Sequence, residues 1–237
     1  MPEAAEPGPP GPAPEMLAVL FDMDGTLLDS EKVWDVSLAD LAVHLGGTLS
    51  RAAREAMVGS DVRTSLGLLF DDLGLARNAD ELALAGAWLT RRTAELFDLG
   101  LAWRPGASAL IDDVLGAGVR TALVTNTERF LTDRALGTLG RDRFEVTVCG
   151  DEVARGKPEP DPYLRAAALL GLAPGQCLAV EDSPTGAAAA EAAGCPVLVV
   201  PCDVVVPEGP RRVQLPTLHG VGVAELAAAW RSVTVRA

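Results

Sequence analysis

Asp22 and Asp24 stand two residues apart in the stretch LAVLFDMDGTLLDS, directly behind a short apolar run. That run, Leu17–Phe21, is too short for a helix and is followed by Gly25, so it reads as a buried strand that ends in a turn. Side chains at i and i+2 of a strand point to the same side, which brings both carboxylates to one pocket at its C-terminal end. Two carboxylates held that close repel unless a cation lies between them or one is protonated. Gly25 permits the sharp turn that follows. The chemistry expected is a metal ion held by carboxylates at a strand tip.

More polar groups occur where other strands are expected to stop. Thr125-Asn126-Thr127 follows the run 119–124, Lys157 lies in GKPEP after the run 144–149, and Glu181-Asp182-Ser183-Pro184 follows the run 177–180. Lys32 and Lys157 are the only lysines of the chain, so Lys157 is not one of many interchangeable surface cations. Plainer explanations compete. Thr125-Asn126 also fits an ordinary loop cap, and Ser183 before Pro184 reads as a helix N-cap rather than a catalytic serine. His44 and His219 read as surface or structural histidines, while Lys32 and Arg63 fit either a solvated surface or a substrate contact.

The elements that must position these groups follow from periodicity. Trp34, Leu38, Leu41 and Leu45 recur at helical spacing, Val62, Leu66, Leu69 and Leu73 form a second stripe, and residues 82–96 form a third. No strand is evident between Val33 and Leu99, which makes this stretch an all-helical insert with its own core. From Arg104 the rhythm becomes strand and helix in alternation: helices over 107–115, 129–139, 163–170 and 184–193, strands over 119–124, 144–149, 177–180 and 196–200. Such alternation implies an α/β protein with a parallel sheet covered on both faces. In open parallel sheets ligands bind beyond the carboxyl ends of the strands, which is where the polar groups fall. The segment 204–220 reads as irregular and 224–230 as a last short helix.

Composition narrows the function. A net charge of −13 over 237 residues excludes broad binding to nucleic acid or anionic membranes, which needs basic surface. Cys149, Cys177, Cys195 and Cys202 show no CxxC pairing and sit near apolar segments, as buried reduced thiols of a cytosolic protein would. No apolar run is long enough to span a membrane, and PEAAEPGPPGPAPE lacks the features of a signal peptide; residues 1–15 read as a disordered Pro-rich tail. The expectation is a cytoplasmic monomer or weak dimer without nucleic-acid or membrane partners.

With DMDGT at Asp22–Thr26, VTN at Val124–Asn126, Lys157 in GKPEPDPY and EDS at Glu181–Ser183, in that order, the chain resembles the haloacid dehalogenase-like superfamily of aspartyl-phosphate enzymes. The resemblance runs from Leu17 to about Val200, and the insert with its DSExxW resembles the helical cap of the beta-phosphoglucomutase-like branch. It implies a Rossmann-like core of residues 16–30 and 101–237 with a helical cap of 31–100. It also implies Asp22 as nucleophile, Asp24 as general acid/base, and Thr125, Asn126 and Lys157 around the phosphoryl oxygens, with Asn126 on the phosphate or the flap. Magnesium would take Asp22, the backbone carbonyl of Asp24, and Asp182, with Glu181 in a supporting or shared role. Thr26 would support Asp24, and Arg63, in the cap segment MVGSDVRTSL, would anchor substrate.

Asp24 sets the chain apart from dehalogenases, which lack it, and the absence of a lysine around Arg63 sets it apart from phosphonoacetaldehyde hydrolases. Trp34 stands where beta-phosphoglucomutase carries a histidine, and Arg63 is displaced from that enzyme's cap arginine. Both departures favour hydrolysis of a small phosphomonoester, a sugar phosphate or phosphorylated metabolite. The alternatives are a phosphatase of a sugar-phosphate-bearing aromatic natural-product intermediate, a sugar phosphomutase, and a non-catalytic regulator that binds a phosphometabolite.

Overall fold

β1 (Ala18–Phe21) lies at the centre of a six-stranded sheet with β2 (Arg120–Val124), β3 (Val146–Val148), β4 (Cys177–Glu181), β5 (Val197–Val199) and β6 (Arg212–Gln214), in the order β3-β2-β1-β4-β5-β6. All neighbouring strands are parallel. The computed structural model describes residues 15–234, so the Pro-rich stretch up to residue 14 lies outside the described residues. Every residue of β1 and β4 is buried, as expected of parallel strands covered on both sides.

Alternation along the strands divides the core in two. Val19, Phe21, Leu123, Leu178 and Val180 pack against α5 (Ala107–Gly116), α6 (Arg129–Leu139) and α9 (Val223–Thr234). Ala18, Leu20, Ala122, Val124 and Ala179 face the other way, against α7 (Asp161–Leu169) and α8 (Pro184–Ala193). The alanine face of α8 lets that helix lie close to the sheet, and Ser183 caps it by accepting from Gly186 N at 3.0 Å. β1 has β2 on one side and β4 on the other, so the order of the sheet reverses at β1 and opens a crevice at its C-terminal end.

Between β1 and α5 the chain forms α1 (Glu31–His44), α2 (Arg51–Met57), α3 (Val62–Asp72) and α4 (Ala79–Phe97). Leu38, Leu41, Met57, Leu66, Leu69, Phe70 and Leu89 join in a third cluster drawn from these helices alone. Leu41, Leu69 and Leu89 are fully buried there, each contributing about 1.5–3 kcal/mol of transfer free energy. The end of α4 does not stay within that cluster: Ala94 and Phe97 pack into the core of the sheet, and Trp34 packs against both clusters.

Two elements differ from expectation. The segment 204–220, expected to be irregular, contains β6, a three-residue edge strand paired only with β5. α2 carries no apolar stripe, because only Met57 of RAAREAM is buried. All four cysteines are free, three of them buried and Cys202 half-buried. Among the described residues no helix is long and apolar enough to cross a membrane.

Candidate active site

The carboxyl ends of β1, β2 and β4 converge on Lys157, which enters from the loop after β3. Lys157 Nζ donates to Asp22 Oδ1 at 2.6 Å, to Glu181 Oε1 at 2.6 Å and to the Val124 carbonyl at 2.8 Å, so its ammonium protons are fully used. Asp22, Lys157, Glu181 and Asp182 are all buried. Burial pushes the Asp22 carboxyl up to about 8; Lys157 opposes this, while Glu181 and Asp24 add to it. Burial alone would lower the Lys157 ammonium, but Asp22 and Glu181 hold it above the usual lysine range.

Glu181 is tied down on both oxygens. Besides Lys157, Oε1 accepts from the Tyr163 hydroxyl at 2.5 Å, and Oε2 faces Ser183 Oγ at 3.4 Å. Asp182 is the opposite case: among the described residues its buried Oδ2 has no hydrogen-bond partner. Burial, then the Asp22 and Glu181 carboxylates, raises the Asp182 carboxyl well above the ordinary range. One oxygen from each of Asp22, Glu181 and Asp182 lies within 4.8 Å of the others. An orphaned carboxylate oxygen inside a set of hard oxygen donors fits a hard divalent cation, with Asp22 and Asp182 free to ligate and Glu181 holding Lys157. Gly25 belongs to this geometry: φ is +78°, and a Cβ there would stand 2.1 Å from Asp182 Oδ2.

Asp24 sits beside this cluster and is held by a ring of donors. Ser30 Oγ donates to Oδ1 at 2.6 Å and Trp34 Nε1 at 3.1 Å, while Thr127 Oγ1 donates to Oδ2 at 2.7 Å and Thr125 Oγ1 at 3.2 Å. Thr125 Oγ1 also accepts from Thr127 N at 3.0 Å, which turns its hydroxyl toward Asp24. Asn126 Nδ2 donates to the carbonyls of Gly59 and Lys157, each at 3.0 Å, and its Oδ1 accepts from Lys157 N at 2.8 Å. Its amide thus joins the loop before α3 to the loop that carries Lys157.

Two expected site residues stand apart. Thr26 is buried but does not bond Asp24, and its Oγ1 has no partner among the described residues. The turn at Gly25 ends the strand alternation, so residue 26 no longer shares the face of Asp22 and Asp24; Ser30, Trp34 and Thr127 support Asp24 instead. Arg63 is exposed and lines a groove against α4 and α6, not the cavity over Asp22. The arginine in that cavity is Arg54 of α2, paired with Glu31. Ser30, Glu31 and Trp34 lie within DSExxW and Tyr163 within GKPEPDPY, so the motifs carried a signal for them; nothing in the spacing marks Arg54.

Fold and site together define an α/β enzyme with a carboxylate–lysine centre at the switch point of a parallel sheet. The profile of the haloacid dehalogenase-like hydrolases matches residues 16–194, and the chain belongs to that family. It is 34% identical to protein CbbY of Rhodobacter capsulatus over 80% of this chain and 87% of that protein. Hexitol phosphatase A of Escherichia coli K12 is 35% identical over 76% of this chain and 81% of its own length. Among solved structures, CbbY from Rhodobacter sphaeroides in complex with phosphate superposes with a TM-score of 0.78 at 28% identity, covering 89% of this chain and 99% of that one. A beta-phosphoglucomutase from Clostridium difficile shares the fold, with a TM-score of 0.84 at 18% identity over 93% and 99%.

Proposed function

We propose that this chain, a phosphoric monoester hydrolase of the haloacid dehalogenase-like family, releases phosphate from a small sugar phosphate through a phosphorylated Asp22, with magnesium as cofactor. The observation that carries the reading is the position of Asp22, bonded through Oδ1 to Lys157 beside the unpartnered Asp182. Relatives named as a hexitol phosphatase and as a phosphorylated carbohydrates phosphatase support the substrate class.

In this reading Asp22 Oδ2, which Lys157 does not hold, is the attacking oxygen. Lys157 neutralises charge between the carboxylate and the phosphoryl group, and its three bonds fix where that charge sits. Asp24 is the group that passes a proton to the leaving alkoxide and then takes one from the water that attacks the acyl phosphate. Ser30, Trp34 and Thr127 aim its carboxyl. Asp22, Asp182 and the Asp24 carbonyl would hold the magnesium ion, whose charge, when bound, offsets that of the phosphoryl oxygens. Thr125 and Asn126 line the phosphoryl end, Asn126 with its amide on the cap side.

Residues 31–100 act as the cap over this site. The cavity between cap and sheet is about 40 Å³, room for a water or two but far below the roughly 300 Å³ or more of a ligand pocket. Substrate entry therefore lifts the helices, and closure excludes stray water. The test is phosphate release from a panel of sugar phosphates with and without magnesium, together with acid-quench mass spectrometry of the peptide bearing Asp22. A phosphoryl adduct on Asp22 and magnesium-dependent turnover are expected; turnover with no adduct on Asp22, or undiminished by chelation, refutes the mechanism.

A further inference from the structure

We infer that the Glu31–Arg54 pair chooses the non-transferred end of the substrate, admitting a neutral hydroxyl-bearing group and rejecting a second anion. The inference rests on the phosphatase reading above and specifies its substrate. Glu31 opens α1 and Arg54 lies on α2, and both line the cavity shared with Asp22, Asp24 and Lys157. Arg54 Nη2 donates to Glu31 Oε2 at 2.5 Å and to the Glu31 carbonyl at 3.3 Å, while Nε donates to Asp35 Oδ1 at 2.5 Å. The side chains of Glu31 and Arg54 are only 5% and 15% exposed, so water screens their interaction weakly.

Charge bookkeeping across the cavity separates its two ends. Lys157 and Arg54 are the cations that line it, and Lys157 is committed to Asp22 and Glu181. Arg54 is the cation offered by the cap, and two carboxylates already neutralise it. A phosphate or carboxylate arriving beside it would meet Glu31 at close range. At such range in a poorly screened cavity the repulsion from Glu31 is of the same size as the attraction to the guanidinium, and the two cancel.

A hydroxyl meets a different surface. Among the described residues Glu31 Oε1 accepts no hydrogen bond and Arg54 Nη1 donates none, so an acceptor and a donor stand side by side with unused capacity. Each hydroxyl of a polyol is both donor and acceptor and satisfies the two together. Trp34, Leu38 and Met57 line the same cavity and offer apolar surface to the C–H faces of a sugar or hexitol.

The experiment, run at pH 8 where the Glu31 carboxyl is ionised, compares kcat/KM for glucitol 6-phosphate with that for fructose 1,6-bisphosphate and for 2-phosphoglycolate, in the magnesium-loaded full chain. The wild type is expected to favour glucitol 6-phosphate at least tenfold over both. Glu31→Gln removes one neutralising charge and should move the ratio at least tenfold toward the doubly anionic substrates, whatever happens to the absolute rates. Arg54→Gln should lower turnover of glucitol 6-phosphate and give the anions no advantage. A wild type that prefers either doubly anionic substrate, or a folded Glu31→Gln protein with an unmoved ratio, overturns the inference. The wild-type ratio decides by itself if the variants do not fold. Failure to hydrolyse any of these esters or p-nitrophenyl phosphate overturns the phosphatase reading, whereas turnover with the opposite preference overturns only the role given to Glu31 and Arg54.

Discussion

The Lys157 ammonium lies 2.6 Å from Asp22 Oδ1, in a place where both groups are almost wholly removed from water. The same nitrogen bonds Glu181, so one cation serves two buried carboxylates. Removing it leaves charges that can be relieved only by protonation or by a metal ion. Lys157→Met should cost about 3 kcal/mol or more of stability in the absence of divalent cations and lower kcat/KM by on the order of a hundredfold. Urea unfolding in chelator and steady-state kinetics in magnesium measure the two effects. A variant of unchanged stability would mean that the pair is not formed in solution.

Asp22→Asn separates the chemical part of that residue from its structural part. The amide oxygen remains an acceptor for Lys157, and the amide avoids the penalty that burial places on the carboxylate. Turnover should disappear, while the stability of the metal-free protein stays within about 1 kcal/mol of wild type. Rapid loss of both together would point to Asp22 as a folding residue and not a nucleophile.

The raised carboxyls also set a pH dependence. Asp22 binds its proton up to about 8 in the fold and Glu31 up to about 7, against ordinary values of 3.8 and 4.5, and Asp182 is raised too. Between those limits the folded protein holds more protons than the unfolded chain, so metal-free stability falls as pH rises from 5 to 8. Lys157 shifts upward as well, and its contribution is intact throughout that range. Magnesium must displace protons from Asp22 and Asp182, so its stabilising effect should be larger at pH 8 than at pH 5. Thermal unfolding with and without magnesium at the two pH values checks this; an equal or larger shift at pH 5 contradicts the ligand assignment.

Asn126 predicts how firmly the cap is held. Its side chain bonds Gly59 of the cap segment and both backbone groups of Lys157. Asn126→Ala strands the buried Lys157 N–H and should cost about 1–3 kcal/mol. Hydrogen exchange should then quicken in residues 57–61 and 156–158 more than in β1. Uniform exchange across those segments would show that Asn126 does not tie cap to core.

Much of this arrangement was legible in the sequence because each chemical residue follows a short apolar run, and parallel sheets gather such ends at one edge. The convergence of Asp22, Lys157, Glu181 and Asp182 needs only that order of strands. Arg54 was not legible, since α2 has a single buried residue and its placement depends on how α1 and α2 cross. Arg63 and Arg54 are both cap arginines, and spacing does not tell which helix face meets the cavity. Thr26 misled because the alternation that aligns Asp22 with Asp24 stops at Gly25. β6 was hidden by its length of three residues and by its dependence on β5 for pairing.

Trp34 gives the sharpest separation of orientation from packing. Its Nε1 donates to Asp24 Oδ1 at 3.1 Å, and its ring meets Phe97 edge-on with centroids 6.5 Å apart. Trp34→Phe keeps most of the aromatic contact and removes the donor, so stability should fall by less than about 1.5 kcal/mol. Asp24 then keeps only hydroxyl donors, from Ser30, Thr125 and Thr127, whose rotation fixes the carboxyl less firmly than an indole anchored in two clusters. A misaimed acid/base should cost about tenfold in kcat with KM little changed. Trp34→His, which restores a ring N–H, should recover part of that loss. If the phenylalanine variant turns over at the wild-type rate, Asp24 is aimed by its hydroxyl donors alone and the indole serves packing.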